Sequence, residues 1–299
     1  MKGGIRNYTS AIVDRVRGRR PRSLVAENLD RQNQMLLAGR YRDLVAAGRP
    51  LPGFAEAEFC SYAQNGEDGI LLMIFAAIGA GTRRVVEMCA GNGIECNAAN
   101  LIINHGWSGL LLDGREANIA RGRAFYAKRT NAWRFRRLPP TLVHAWITTQ
   151  NVNDLVRQNG MEGEIDLFSL DMDGVDYWIW KALECVSPRV VVLEYNNRWA
   201  ADQSVTVPYE SGFVGKGVLP GGAGYFGASL LAFTRLAREK GYRLIGANGP
   251  DTNAFFMRDD VGAELFPEVT VESCLQSDYA RHQHRTKYPL IQHLPVVEV

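Results

Sequence analysis

The sequence predicts an α/β fold: a mainly parallel sheet of seven strands flanked by helices and finished by an antiparallel hairpin. Three observations carry that expectation. From about residue 66, short β-rich apolar runs alternate with amphipathic stretches, the pattern of successive βαβ units. The run Val85-Val86-Glu87-Met88 leads into a glycine turn, Ala90-Gly91-Asn92-Gly93, and then into a helical pattern, as in Rossmann-like domains. The last two runs, around Tyr242–Ile245 and Asn253–Met257, are separated only by Gly246 to Thr252. They can pair only as a hairpin, because a parallel pair needs a crossover of about a dozen residues or more.

The elements follow in order. From Arg22 to Ala47, apolar residues recur at intervals that suit one helical face, and Gly48-Arg49-Pro50-Leu51-Pro52-Gly53 stops that helix and makes a linker. Strands are expected near 84–89, 108–113, 143–147, 165–170, 189–194, 242–246 and 253–257. Helices are expected near 67–78, 94–105, 115–128, 151–159, 174–185 and 227–240. Trp178 and Trp180 are expected to pack against the sheet. The stretch 196–226 lacks a clear element; its Trp199, Tyr209, Phe213, Tyr225 and Phe226 suit a lid over an acceptor, or a packed surface loop. The expected division is an N-terminal helical extension (1–58), the sheet domain (59–260) and a C-terminal tail (261–299).

Composition sets the class. With 299 residues, 46% hydrophobic and 22% charged, the chain can bury one large core and is unlike a disordered polymer. A net charge of +2 is too small to mark nucleic acid or an anionic membrane as the partner. The charge is uneven: residues 1–50 hold eleven Lys or Arg against four Asp or Glu, with Arg15, Arg17, Arg19, Arg20 and Arg22 in one run. No aromatic residue interleaves these arginines, so the reading preferred to a nucleic-acid arm is a solvated or subunit-contacting helix face. The N-terminal helix is therefore the expected place for a homo-oligomer contact. Five cysteines without a C-x-x-C pair indicate neither a disulfide framework nor zinc. No apolar run approaches the roughly 20 residues of a membrane span, and the N-terminus lacks the apolar core of a signal peptide, so a cytoplasmic protein is expected.

Gly91 and Gly93 let the backbone pass close to a ligand. Glu87, near the end of an apolar strand, is costly to bury without a partner, and a cationic ligand would supply one. Asp113 ends the strand Leu110-Leu111-Leu112 about 20 residues beyond the glycines, where a Rossmann-type carboxylate accepts from ribose hydroxyls. The alternative is that Glu87 caps or pairs locally and Asp113 opens the turn at Gly114. The third glycine place of a dinucleotide fingerprint holds Cys96, preceded by Glu95, whose charge at a helix N-terminus repels a pyrophosphate; NAD is disfavoured.

The strings SYAQNGEDGILLMIF, VVEMCAGNGIECNAANLI, GWSGLLLDG, IDLFSLDMDGVDYWIW and PRVVVLEYN resemble the FkbM-like group of class I S-adenosylmethionine-dependent methyltransferases, over roughly residues 60–258. The terminal hairpin agrees with the class I methyltransferase layout. The resemblance implies that S-adenosylmethionine, with its sulfonium and ammonium, is the cofactor, and that Glu87, Gly91, Asn92, Gly93 and Asp113 surround it. It also implies that Gln64, Asn65, Glu67 and Asp68 sit near its methionine end or the acceptor. For that cluster a helix N-cap is an equal alternative.

The fourth strand ends in Asp171-Met172-Asp173, followed by Asp176, and the fifth in Glu194-Tyr195-Asn196-Asn197. Oxygen-bearing side chains converging at one sheet edge suit a hard cation such as Mg²⁺. The arrangement is similar to that of metal-dependent sugar O-methyltransferases of macrolide and aminocoumarin biosynthesis. That likeness implies Asp171 and Glu194 as metal ligands and Asp173 as general base. It departs from their pattern in lacking an acid pair after the fifth strand, so Asn196 or Asn197 would complete the shell. Equally open is that Asp171 and Asp173 cap the next helix and Glu194 pairs with Arg198. His105 and His144 are expected as structural residues, and His282, His284 and His293 as parts of a polar tail. The expected function is methylation of a hydroxyl on a small-molecule acceptor, a sugar or secondary metabolite. The alternatives are a metal-independent N-methyltransferase and a noncatalytic cofactor-binding partner protein; a nucleic-acid methyltransferase would need a basic groove.

Overall fold

The computed structural model describes residues 24–129, 138–219 and 223–299; the arginine run from Arg15 to Arg22 lies outside the described residues. Seven strands form one sheet: β1 (Arg84–Met88), β2 (Ser108–Asp113), β3 (Thr141–His144), β4 (Gly163–Leu170), β5 (Val186–Glu194), β6 (Tyr242–Ala247) and β7 (Asn253–Arg258). Their order is β3-β2-β1-β4-β5-β7-β6. β1 to β5 run parallel, and β7 is antiparallel to both β5 and β6. The sheet is the one the sequence predicts, hairpin included.

Both faces of the sheet are covered, which is why its central strands are near-continuous apolar runs. Side chains alternate between faces. Val86, Leu110, Phe168 and Val191 join one layer with helices Val152–Gln158, Asp176–Ala182 and Leu230–Glu239. Val85, Leu111, Leu167 and Val190 join the other with Glu67–Ile78, Ala99–His105, Glu116–Arg129 and the N-terminal helix Leu24–Ala46. Trp180 is buried against Phe256, with ring centroids 5.6 Å apart.

Residues 24–58 are not set apart from this body. The N-terminal helix buries Ala38 and Tyr41 in the second layer. Its Gln34 exchanges hydrogen bonds with Asn100 (3.0 and 3.2 Å), donates to Ser61 Oγ (3.0 Å) and lies 2.7 Å from His105 Nε2.

Several boundaries differ from expectation for identifiable reasons. The helix after β1 begins at Ala99 rather than 94, because the N–H groups of Asn97 and Ala98 turn back to the Glu87 carboxylate. β3 ends at His144 because the Asn151 side chain accepts from Thr148 N and donates to Trp146 O, drawing 146–151 into a turn. The 261–299 stretch is folded rather than a tail. Helix Asp278–Ile291 is capped by the Ser277 hydroxyl, buries Ala280 and Ile291, and leads to strand Val297–Glu298. That strand pairs with Val205–Thr206, so the 196–226 stretch is tied down from the C-terminal side. Among the described residues no helix is long and apolar enough to cross a membrane.

Candidate active site at the carboxyl ends of the strands

Glu87 is buried at the end of β1, and its carboxylate is already met by protein groups. Asn97 N donates to Oε1 (3.0 Å), Ala98 N to Oε2 (2.7 Å) and the Ser169 hydroxyl to Oε1 (3.3 Å). The carboxylate thus caps the N-terminus of the 99–105 helix, satisfying N–H groups that a helix cannot satisfy itself. Burial pushes the Glu87 carboxyl up, and these donors pull against it. The turn that follows holds Gly91 at φ +57° and Gly93 at φ +68°. A side chain at Gly93 would start 2.8 Å from Leu111 Cδ1, and Tyr126 donates its hydroxyl to Gly93 O at 2.6 Å. Asn92 closes the turn by accepting from Ile94 N through Oδ1 (2.9 Å).

Asp113 ends β2, whose Leu112 is in register with Met88 of β1. Its Oδ1 accepts from Arg115 N (2.8 Å) and Asn118 Nδ2 (3.0 Å), so one oxygen shapes the turn into the next helix.

The 60–68 stretch wraps around two carboxylates. Asp68 Oδ2 accepts from the backbone N–H of Ser61 (2.7 Å), Tyr62 (2.5 Å) and Ala63 (2.9 Å), while Oδ1 is buried with no partner among the described residues. Burial pushes the Asp68 carboxyl up to about 7 despite those donors. Glu67 is buried as well; Oε2 accepts from Asn65 N (2.8 Å), and Oε1 from Asn248 Nδ2 (2.8 Å) and Asn253 Nδ2 (2.7 Å).

At the ends of β4 and β5, Asp171, Asp173 and Glu194 bring one carboxylate oxygen each to within 4.8 Å of one another. Asp176 does a different job: Oδ1 accepts from Met172 N and Oδ2 from Gly174 N, folding the loop so that Asp171 and Asp173 face the cleft. Asp173 is held at φ +52°, a left-handed conformation unusual for a side-chain-bearing residue. Desolvation and the neighbouring carboxylates push Asp171 up, and burial followed by the charges of Asp171, Asp173 and Asp176 pushes Glu194 up with it. Glu194 Oε2 is buried with no hydrogen-bond partner among the described residues. Asn196 is turned away from the cluster, contrary to its expected place as a metal ligand. Its Oδ1 accepts from Arg198 N (3.2 Å) and Arg198 Nη1 (3.1 Å), and its Nδ2 donates to Gly224 O and Phe226 O. Asn197 Nδ2 likewise donates to Asp251 O (2.8 Å).

These groups meet in a cleft of about 240 Å³. Of the residues expected at the cofactor, Gln64, Glu67, Glu87 and Gly91 line it, whereas Asn92, Gly93 and Asp113 stand behind or beside it; Asp171 and Asp173 complete the far end. Among the described residues, five carboxylates (Glu67, Glu87, Glu95, Asp171 and Asp173) and no Lys, Arg or His line the cleft. Sequence reasoning missed Ser169, Asn248 and Asn253, which hold Glu87 and Glu67. Their signal was faint: polar residues inside or beside apolar strands. The described residues of the 196–226 stretch are packed down and reach the loop that carries Asp173. Trp199 and Tyr225 are buried, Trp178 Nε1 donates to Val207 O (2.8 Å), Trp146 Nε1 to Ser211 O (2.6 Å), and Gly215 packs against the backbone of Asp173.

A scan against protein-family models finds no match, and a search of curated proteins finds none. Among solved structures the chain is similar to a S-adenosylmethionine-dependent methyltransferase from Clostridium acetobutylicum ATCC 824, at 9% identity over 74% of this chain and 97% of that one, TM-score 0.42. It is also similar to the methyltransferase domain of bacterial CtHen1, at 15% identity over 63% and 94%, TM-score 0.41. A third is the magnesium protoporphyrin IX methyltransferase of Synechocystis PCC 6803 with bound SAM, at 12% identity over 84% and 92%, TM-score 0.37. The strand order and the antiparallel seventh strand, read from the sheet itself, are those of the class I S-adenosylmethionine-dependent methyltransferase fold.

Proposed function

We propose that the chain is a S-adenosylmethionine-dependent methyltransferase of the FkbM-like kind, acting on a hydroxyl of a small polar molecule such as a sugar or secondary metabolite, with Mg²⁺ as a cation in the site. The observation that carries this reading is the cleft: a glycine turn at the end of β1 and, among the described residues, five lining carboxylates and no lining basic group. That wall attracts a ligand bearing sulfonium and ammonium charges and repels the pyrophosphate of a dinucleotide.

S-adenosylmethionine supplies a methyl group on a positively charged sulfur, ready for in-line attack. In this reading Gly91 gives the backbone room beside it, Glu87 and Glu67 present fixed negative charge, and Asp113 offers its second oxygen to a ribose hydroxyl. The donor set also fits a hard cation: Asp171 and Glu194 converge beside Asp173, and among the described residues a buried Glu194 oxygen lacks a donor. A cation there would lower the pKa of an acceptor hydroxyl. Asp173, exposed at the cleft, takes the hydroxyl proton as the nucleophile attacks.

The test is incubation of the purified protein with methyl-labelled S-adenosylmethionine and a panel of polyhydroxylated acceptors, with and without Mg²⁺. Label in an acid-stable methyl ether, dependent on Asp173, supports the reading. Label recovered only in methylated amines would reassign the acceptor atom.

A further inference from the structure

We infer that Asn253, at the start of β7, supplies the third protein oxygen of a divalent-cation site with Asp171 and Glu194, beside the base Asp173, in the place expected for Asn196. The inference deepens the cation part of the reading above and is independent of methyl transfer itself.

Asn253 is 6% exposed and lines the same cleft as Asp171 and Asp173. The orientation of its amide is fixed by its neighbour. Asn253 Nδ2 donates to Glu67 Oε1 at 2.7 Å, and a carboxylate only accepts, so Oδ1 must point the other way. That Oδ1 is buried with no hydrogen-bond partner among the described residues. A buried amide oxygen left without a donor is costly, so such an atom calls for a donor or a cation.

Its position says which. β7 pairs antiparallel with β5, and Asn253 stands directly opposite Glu194. Residues so paired share one face, with Cβ atoms about 4.5–5.5 Å apart. The second unpartnered oxygen, Glu194 Oε2, therefore sits on the neighbouring strand beside the first. Two orphan acceptors next to the cleft-facing Asp171 carboxylate make an all-oxygen set, and hard divalent cations take carboxylate and amide oxygens together. Asn196 is unable to serve, since Arg198 occupies its oxygen and two backbone carbonyls its nitrogen.

Mn²⁺ is the probe, titrated into the full chain without cofactor and read by the loss of the free-ion electron paramagnetic resonance signal. Wild-type protein binds Mn²⁺, and Mg²⁺ competes for the site. Asn253→Leu weakens binding on the order of tenfold or more, Asn253→Asp tightens it at least about threefold, and Asn196→Ala leaves it within about twofold. The opposite signs of Leu and Asp separate a ligand from a residue that merely holds Glu67, because loss of the Glu67 contact would weaken both variants. Circular dichroism of each variant confirms that the fold is kept. If wild-type protein binds and Asn253→Leu binds equally well, this inference falls while the cation reading stands. If wild-type protein takes up no Mn²⁺, both fall.

Discussion

The two ends of the cleft treat carboxylates in opposite ways. At the β1 end, Glu87 is closed by two backbone N–H groups and a hydroxyl, and Glu67 by two side-chain amides and a backbone N–H. At the β4 and β5 end, Asp171, Asp173 and Glu194 face one another, and one buried Glu194 oxygen has no donor among the described residues. The first end is finished by the fold, its charge fixed in place before any ligand arrives. The second is less complete: negative charge is crowded there, and the nearby Arg198 guanidinium offsets part of it. A preorganised wall suits binding, whereas a crowded carboxylate cluster suits proton transfer.

Breaking each end separates the two roles. Asp171→Ala is expected to reduce turnover by about 10² to 10⁴-fold while S-adenosylhomocysteine affinity stays within about threefold. Full activity in that variant would remove Asp171 from the reaction, and a loss of cofactor binding would move it into the cofactor wall. Glu87→Gln acts on the other end. Its amide nitrogen must face Asn97 N or Ala98 N, donor against donor, so urea denaturation should show a loss of about 1–3 kcal/mol along with weaker cofactor binding. Unchanged stability there would mean that the two backbone contacts matter little.

Asp68 sharpens the comparison through pH. Its folded-state value of about 7 stands above the 3.8 of an ordinary aspartate, so the folded chain holds this proton more tightly than the unfolded one. The sign follows: its favourable contribution is full at low pH and is lost as pH rises from about 4 to about 7, with a slope of at most about 1.4 kcal/mol per pH unit. Asp68→Asn, with its oxygen still facing the three backbone N–H groups, should flatten that slope in denaturation curves. An unaltered slope would place the titration elsewhere. The smallest effect is expected at Gln34, which ties the 61–63 loop and the 99–105 helix to the N-terminal helix. Gln34→Met should cost about 1–2 kcal/mol and speed amide exchange at Ser61–Ala63 ahead of the sheet. Exchange that rises equally in β4 would show general weakening instead.

The sheet was legible because apolar runs, glycine turns and a short final connection constrain topology strongly. Partners across long sequence distances were not. Glu87 read as a charge awaiting a cation, but the N–H groups of a helix that starts later than its pattern suggested reach it first. Asn196 follows Glu194 closely in sequence, whereas Asn253 stands opposite it only through the antiparallel register of β7 with β5. The 261–299 stretch looked polar because only one face of its helix is buried, at Ala280 and Ile291. The polar cluster before the first core helix divided in two: Gln64 and Glu67 line the cleft, while Asp68 serves the backbone.

The most direct test of the central claim is calorimetric titration of the purified chain with S-adenosylhomocysteine, with NAD as control. Micromolar binding of S-adenosylhomocysteine and none of NAD is the predicted result. Silence with S-adenosylhomocysteine and heat with NAD would contradict the account and return the glycine turn to a dinucleotide.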